Sequence, residues 1–171
     1  MNLLEKIYLY LMKSHKGMRP QDIVVLLKIF SLEEEEWKNK DLSSSLFISQ
    51  SEVSESLNRS LYAGLIGIDK KTIQKPALFG LLVYGLRYMF PVQAGTLAKG
   101  IPTGTSAPIL RDDFPNENNL VWPDSSMETR GLLIEPLYAN VIEAVKLDPI
   151  LYDLLALAET FRVGNDKQVA R

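Results

Sequence analysis

The stretch Asp41 to Ile66, DLSSSLFISQSEVSESLNRSLYAGLI, restricts the fold more than any other part of the chain. Asp41 to Phe47 has the composition of a short helix, Ile48 and Ser49 interrupt it, and a second helix begins at once. Ser49 offers a hydroxyl at the N-cap and Glu52 follows three residues later, the pattern of a capping box. The order is helix, tight turn, helix. On the second helix Val53, Leu57 and Leu61 recur every four residues and face a core, while Gln50, Ser51, Ser54, Glu55 and Asn58 project from the other side. Small hydroxyl and amide side chains on an exposed helix face suit entry into a groove and bonding to base edges. Ala63-Gly64-Leu65-Ile66 closes the helix, with Gly64 placed for a left-handed turn.

At these residues the sequence resembles the winged helix-turn-helix regulators of bacteria, MarR-type ones especially, over roughly residues 19–75. In that family a run like SQSEVSESLNRSLYAGLI forms the recognition helix and leads into the wing. The resemblance implies a homodimer on double-stranded DNA with a palindromic operator. It implies a DNA-binding face that includes Ser49 and Glu55, with bases read by Gln50, Ser51, Ser54 and Asn58 and the backbone held by Arg59 and the wing lysines Lys70, Lys71 and Lys75. Winged helices also serve as protein-binding modules, so fold alone does not fix function.

Length and composition bound the alternatives. A chain of 171 residues with 46% hydrophobic residues can bury a core of ordinary size. It has no run of about 18 apolar residues to span a membrane and no basic-then-apolar secretory start, so a soluble, cytoplasmic protein is expected. With no cysteine and a lone His15, thiolate chemistry is excluded and a histidine-built metal site disfavoured. No catalytic residue, metal or cofactor is assigned, and an enzyme is not expected. Adjacent acids such as Asp112-Asp113 read as solvated loop residues. The net charge of −2 is unevenly spread: residues 1–32 carry +3, residues 33–75 carry −2 and the remainder −3. Within the reading helix only Arg59 opposes Glu52 and Glu55, so the surface offered to phosphates is weakly charged.

In chain order, Asn2 to Lys13 shows an apolar stripe of Leu3, Leu4, Ile7, Tyr8 and Leu11, a helix that either caps its own domain or joins a dimer interface. Arg19-Pro20 opens a buried helix over Asp22 to Leu32, with Ile23, Leu26, Leu27 and Phe30 on its main face. Glu33 to Glu36 is a solvated acidic run, and Trp37 anchors the connection. Gly67 to Lys75 has the β-branched content and basic tip of a short wing hairpin, whose lysines contact phosphates or else guard an edge strand against pairing.

Pro76 starts a second region. Pro76 to Phe90 is apolar on nearly every side, which predicts burial at the centre of the domain or in a subunit interface. Six prolines and four glycines between Pro91 and Pro136 exclude long regular elements, yet Ile101, Ile109, Phe114, Val121, Trp122 and Ile134 supply apolar anchors. An ordered wrapping loop is expected there, a candidate site for a small-molecule effector or protein partner. The run Lys99 to Ser106 lacks the Gly-Lys-Ser/Thr ending and the preceding strand of a phosphate loop. Asp148-Pro149 then caps a last helix over Ile150 to Val163.

The expected fold is mainly α with a small β-wing (α+β). Residues 1–75 form a winged helix-turn-helix DNA-binding domain, and residues 76–171 a helical, loop-rich dimerisation or partner region. The expected function is a sequence-specific DNA-binding transcriptional regulator, a repressor acting as a homodimer. The competing reading is a winged-helix protein-interaction module, such as an antitoxin or a defence-system accessory subunit.

Overall fold

Six consecutive buried residues, Asp22 to Leu27, put helix α1 (Pro20–Ser31) at the centre of the structure. The computed structural model describes residues 17–33, 35–114 and 119–163; the expected helix Asn2 to Lys13, with His15, lies outside the described residues. Pro20 occupies the first turn of α1, where its missing N–H costs nothing, and Asp22 Oδ2 accepts the Arg19 N–H at 2.7 Å. Helix α2 (Asn39–Leu46) ends at Phe47, whose φ of 55° is left-handed. Two residues later Ser49 caps α3 (Gln50–Tyr62), its Oγ accepting the Glu52 N–H at 3.1 Å. Only this half of the expected capping box forms, because the Glu52 carboxylate turns to Arg19, Gln21 and Arg59. Helix α3 packs on both α1 and α2, burying Val53 and Leu57, and Gly64 terminates it at φ 73°.

The chain then makes a minimal hairpin. Ile66 and Ile73 form an antiparallel bridge, flanked by Gly67 N–H to Thr72 O at 2.8 Å and Gln74 N–H to Leu65 O at 2.9 Å. Helix α4 (Lys75–Gly80) follows, continues through a π-helical turn (Leu81–Gly85) and ends as α5 (Leu86–Met89). Burial on all sides was expected for this segment and is not found: Leu78 and Leu86 are buried, but Phe79 is 61% exposed, Tyr84 73% and Tyr88 77%. The element enclosed over most of its length is α1 instead, between α2, α3 and α7, although Phe30, expected on its buried main face, is exposed near its end. A helix flanking the core can bury one stripe only, so an apolar sequence there leaves its outer face bare.

The Pro/Gly-rich segment holds the sheet. Strand β1 (Leu97–Pro102) pairs antiparallel with β2 (Leu120–Pro123) through its second half and with β3 (Arg130–Leu133) through its first, while β2 and β3 run parallel, so three short strands close on one another. Such tight closure requires missing side chains. A Cβ at Gly100 would lie 1.9 Å from the Trp122 carbonyl oxygen, and one at Gly131 would lie 2.6 Å from that of Asn119. Part of the expected wrapping loop is thus regular structure, and Thr103, Thr105 and Ser106 are buried in a turn that packs on the last helix.

Helix α6 (Val141–Leu147) runs along α2, and α7 (Pro149–Val163) packs on α1, with Asp148 Oδ1 accepting the Leu151 N–H at 3.0 Å. Buried residues from before and after Pro76 form one continuous core. Near the end of α7, Glu159 is buried beneath β2, accepting from the Trp122 indole at 3.3 Å and from Arg162 at 2.8 and 3.0 Å. Arg162 in turn donates to the carbonyls of Phe90 and Glu135, tying α5 and the segment after β3 to α7. Among the described residues no helix is long and apolar enough to cross a membrane.

Two outcomes follow for stability. Gly100→Ala loses about 1–3 kcal/mol by overpacking against Trp122, read as a lower urea midpoint at unchanged slope. Burial pushes the Glu159 carboxyl up to about 7, with Arg162 and Trp122 opposing only in part. The folded protein therefore holds a proton there that the unfolded chain releases near pH 4.5. Stability from this group is full below that value and lost as pH rises to about 7, and Glu159→Gln flattens the slope in that window.

Candidate nucleic-acid interface

The expected reading face is formed by α3, and what holds α3 is ionic. Arg59 lies on its inner side and donates twice to Asp22 of α1, Nε to Oδ2 at 2.8 Å and Nη2 to Oδ1 at 2.7 Å. Both side chains are buried, and Glu52 accepts from the same Nη2 at 2.8 Å. The Asp22 carboxylate foremost, with Glu52 adding, holds the Arg59 guanidinium still more firmly protonated than usual. Arg59 was expected to hold the DNA backbone. It faces the interior instead, because the unpaired buried Asp22 would otherwise carry a large desolvation penalty.

With Arg59 turned inward, the opposite face of α3 is polar and open. Ser49, Gln50, Ser51, Glu55 and Asn58 are exposed and Ser54 is half-buried. The Ser49 and Ser51 hydroxyls lie 2.9 Å apart. Gln50, Ser51, Ser54, Glu55 and Asn58 are where the four-residue periodicity of Val53, Leu57 and Leu61 predicts them.

The three wing lysines reach the same side of the molecule, and each has a partner. Lys70, in the left-handed region at φ 54°, donates to Asn58 Oδ1 of α3 at 2.6 Å. Lys71 bonds Glu36 at 2.9 Å and stands 5.6 Å over the Trp37 ring. Lys75 stands 5.5 Å over the Phe30 ring. Asp69 organises the tip: its carboxylate accepts the Thr72 hydroxyl and the Lys71 and Thr72 N–H groups, which hold it down at about 2. Ile68, beside it, is 92% exposed.

Two grooves flank this hairpin. One of about 400 Å³ lies between α3 and the start of α2, lined by Lys38, Asn39, Ser54, Asp69, Lys70 and Lys71 among others. The other, of about 700 Å³, has Ile29, Phe30 and Ile73 beside Glu33, Glu35 and Glu36 on one part and Lys71 and Lys75 on another. Glu33, Glu35 and Glu36 thus share this groove with the hairpin lysines, and the Lys71 ammonium lowers the Glu36 carboxyl below its ordinary value.

Sequence reasoning did not assign roles to two residues that bear on this surface. Asn140 Nδ2 donates to the Phe47 carbonyl at 2.7 Å and Tyr138 Oη donates to it at 3.2 Å. Burial raises the Tyr138 phenol, the Asn140 bond opposes the shift, and the Glu52 carboxylate adds to it. No local signal marks them, since they lie more than ninety residues from the turn they touch. Among the described residues no group of three or more His, Cys, Asp or Glu is arranged to hold a metal ion.

No family model, curated protein or solved structure matches the chain.

Removing one partner of the buried ion pair separates its weight from that of the surface pairs. Asp22→Ala leaves the buried Arg59 with Glu52 as its one remaining carboxylate and costs about 3 kcal/mol of unfolding free energy, the low end for a broken buried pair. Glu36→Ala, at an exposed pair, leaves the urea midpoint essentially unchanged in the same titration.

Proposed function

We propose that the chain is a double-stranded DNA-binding regulator of the winged helix-turn-helix kind, in which α3 is the recognition helix and the 66–73 hairpin the wing. The observation that carries the reading is the outward face of α3, where Gln50, Ser51, Ser54, Glu55 and Asn58 stand together beside a groove bordered by Lys38, Lys70 and Lys71. Amides and hydroxyls at a helix N-terminus can bond base edges, and the neighbouring lysines suit phosphates. The residues proposed to read bases are Gln50, Ser51, Ser54 and Asn58, with Lys70, Lys71 and Lys75 on the backbone.

Few cations border each reading face, so one copy supplies little counterion-release energy and two are needed for tight binding. The proposed contact between copies is the outer face of α4 and α5, where Phe79, Tyr84, Tyr88 and Met89 are exposed. Several large apolar side chains bared together are characteristic of an interaction surface.

A second reading, a protein-interaction module, is favoured by the charges: Arg59 is inside, which removes one expected phosphate contact, and Lys71 has an acidic neighbour, which weakens another. Selection from a randomised duplex library, followed by a salt series, separates the two. A DNA reader yields a consensus and a linear log–log salt dependence, and Gln50→Ala or Asn58→Ala weakens binding by about 1–3 kcal/mol. A library that yields no consensus, with binding equal for all duplexes, would leave the interaction module. Tyr84→Glu combined with Tyr88→Glu converts a dimer to monomer in sedimentation; an unaltered dimer places the contact elsewhere.

A further inference from the structure

Phe47 is a bulky residue in the left-handed region, at φ 55° and ψ 40°. That conformation is strained for any residue with a Cβ and persists only where the surroundings enforce it. Local bonds supply part of the enforcement: the Ile48 N–H reaches Ser43 O at 3.2 Å, and Ser43 Oγ donates to Ile48 O at 2.5 Å. The remainder comes from Asn140 and Tyr138, which converge on the Phe47 carbonyl and are themselves joined, Asn140 Nδ2 to Tyr138 Oη, at 2.8 Å. Helix α3 starts three residues after Phe47, so this carbonyl lies at the pivot between α2 and α3.

Asn140 is also the residue from which α6 departs, and α6 is held at three further places. Its flank packs on α2. Its Lys146 bonds Asp124, the residue after β2, at 2.9 Å. Beyond its C-terminal end Asp148 bonds Lys28 of α1 at 2.6 Å. One short helix therefore touches the three-stranded sheet, the central helix and the turn that aims α3.

We propose that Tyr138 and Asn140 are positioning residues for α3, a latch through which α6 transmits the state of the three-stranded sheet to the reading face. This rests on α3 being the DNA-contacting helix. Neither side chain touches DNA. With the latch closed, Phe47 is kept left-handed and α3 keeps one orientation. With it open, the turn relaxes toward an unstrained conformation and the base-reading side chains lose their common register. Anything that displaces α6 by way of the sheet then weakens DNA binding without covering a single DNA contact.

The test uses the full chain with Asn140→Asp, Tyr138→Phe and Phe47→Gly. Asp is a good N-cap, so Asn140→Asp retains the start of α6 while removing the donor to Phe47. Glycine adopts the left-handed region freely, so Phe47→Gly makes the turn independent of the latch. Two readouts are taken: hydrogen exchange at the Ile48 and Glu52 amides, and affinity for a duplex selected by the wild-type protein. Asn140→Asp accelerates exchange at Ile48 about tenfold and weakens binding to the duplex by about the same factor, at an unchanged salt slope because no lysine is altered. In the Phe47→Gly background the same change moves both readouts by less than about threefold. A purely structural role would give equal losses in both backgrounds, and that additivity overturns the proposal. Unchanged Ile48 exchange in Asn140→Asp overturns it as well. If the wild-type chain selects no duplex, the DNA reading fails on its own, while the exchange measurements still decide whether the latch holds the turn.

Discussion

The buried pair between Arg59 and Asp22 is the contact on which the arrangement of the first three helices depends. Asp22 has two duties: one oxygen closes the N-terminus of α1, and both accept the Arg59 guanidinium. A bidentate fork has one good geometry, so it fixes α3 over α1 in rotation and in register, which apolar packing by Val53 and Leu57 alone would leave looser. A buried pair is not thereby a source of net stability, since desolvation offsets much of the attraction. Its contribution is uniqueness. Glu52 extends the pair outward to Arg19 and Gln21, so the first turn of α3 is fixed by charge where it leaves the core.

What could be read from the sequence follows from the range of each interaction. The helix-turn-helix order, the Ser49 cap, the Gly64 stop and the polar face of α3 all arise from residues within four positions of one another, and these were legible. Arg59 was misplaced because its partner is 37 residues away, and an arginine on a polar-looking helix gives no sign that a buried aspartate awaits it. The exposure of Phe79, Tyr84 and Tyr88 was illegible for a different reason. Apolar composition shows that a surface needs covering, not whether this chain covers it. The sheet was hidden by strand length: four to six residues interrupted by Gly and Pro read as loop. The informative residues were Gly100 and Gly131, each between a basic and an apolar residue, where a glycine in a strand signals close approach of another backbone.

The charges around α3 allow a consistent account of a weakly basic reader. Lys70 bonds Asn58, and Lys71 lies between Glu36 and the Trp37 ring. Such exposed partners hold the lysines in place for little energy, and a phosphate can displace them. On the proposed reading, what DNA would gain at Lys71 is the difference between a phosphate and Glu36, smaller than for a bare lysine. A low electrostatic background reduces binding to arbitrary sequence more than to a cognate site, where base contacts are unaffected. If the chain reads DNA as proposed, the acidic neighbour of the hairpin trades affinity for discrimination. That trade works only if α3 is held in one orientation, because base-edge bonds tolerate little misalignment. For a DNA reader of the proposed kind, the inward Arg59 and the Phe47 turn held by Asn140 would both meet that requirement, one from the core side of α3 and the other from its N-terminus.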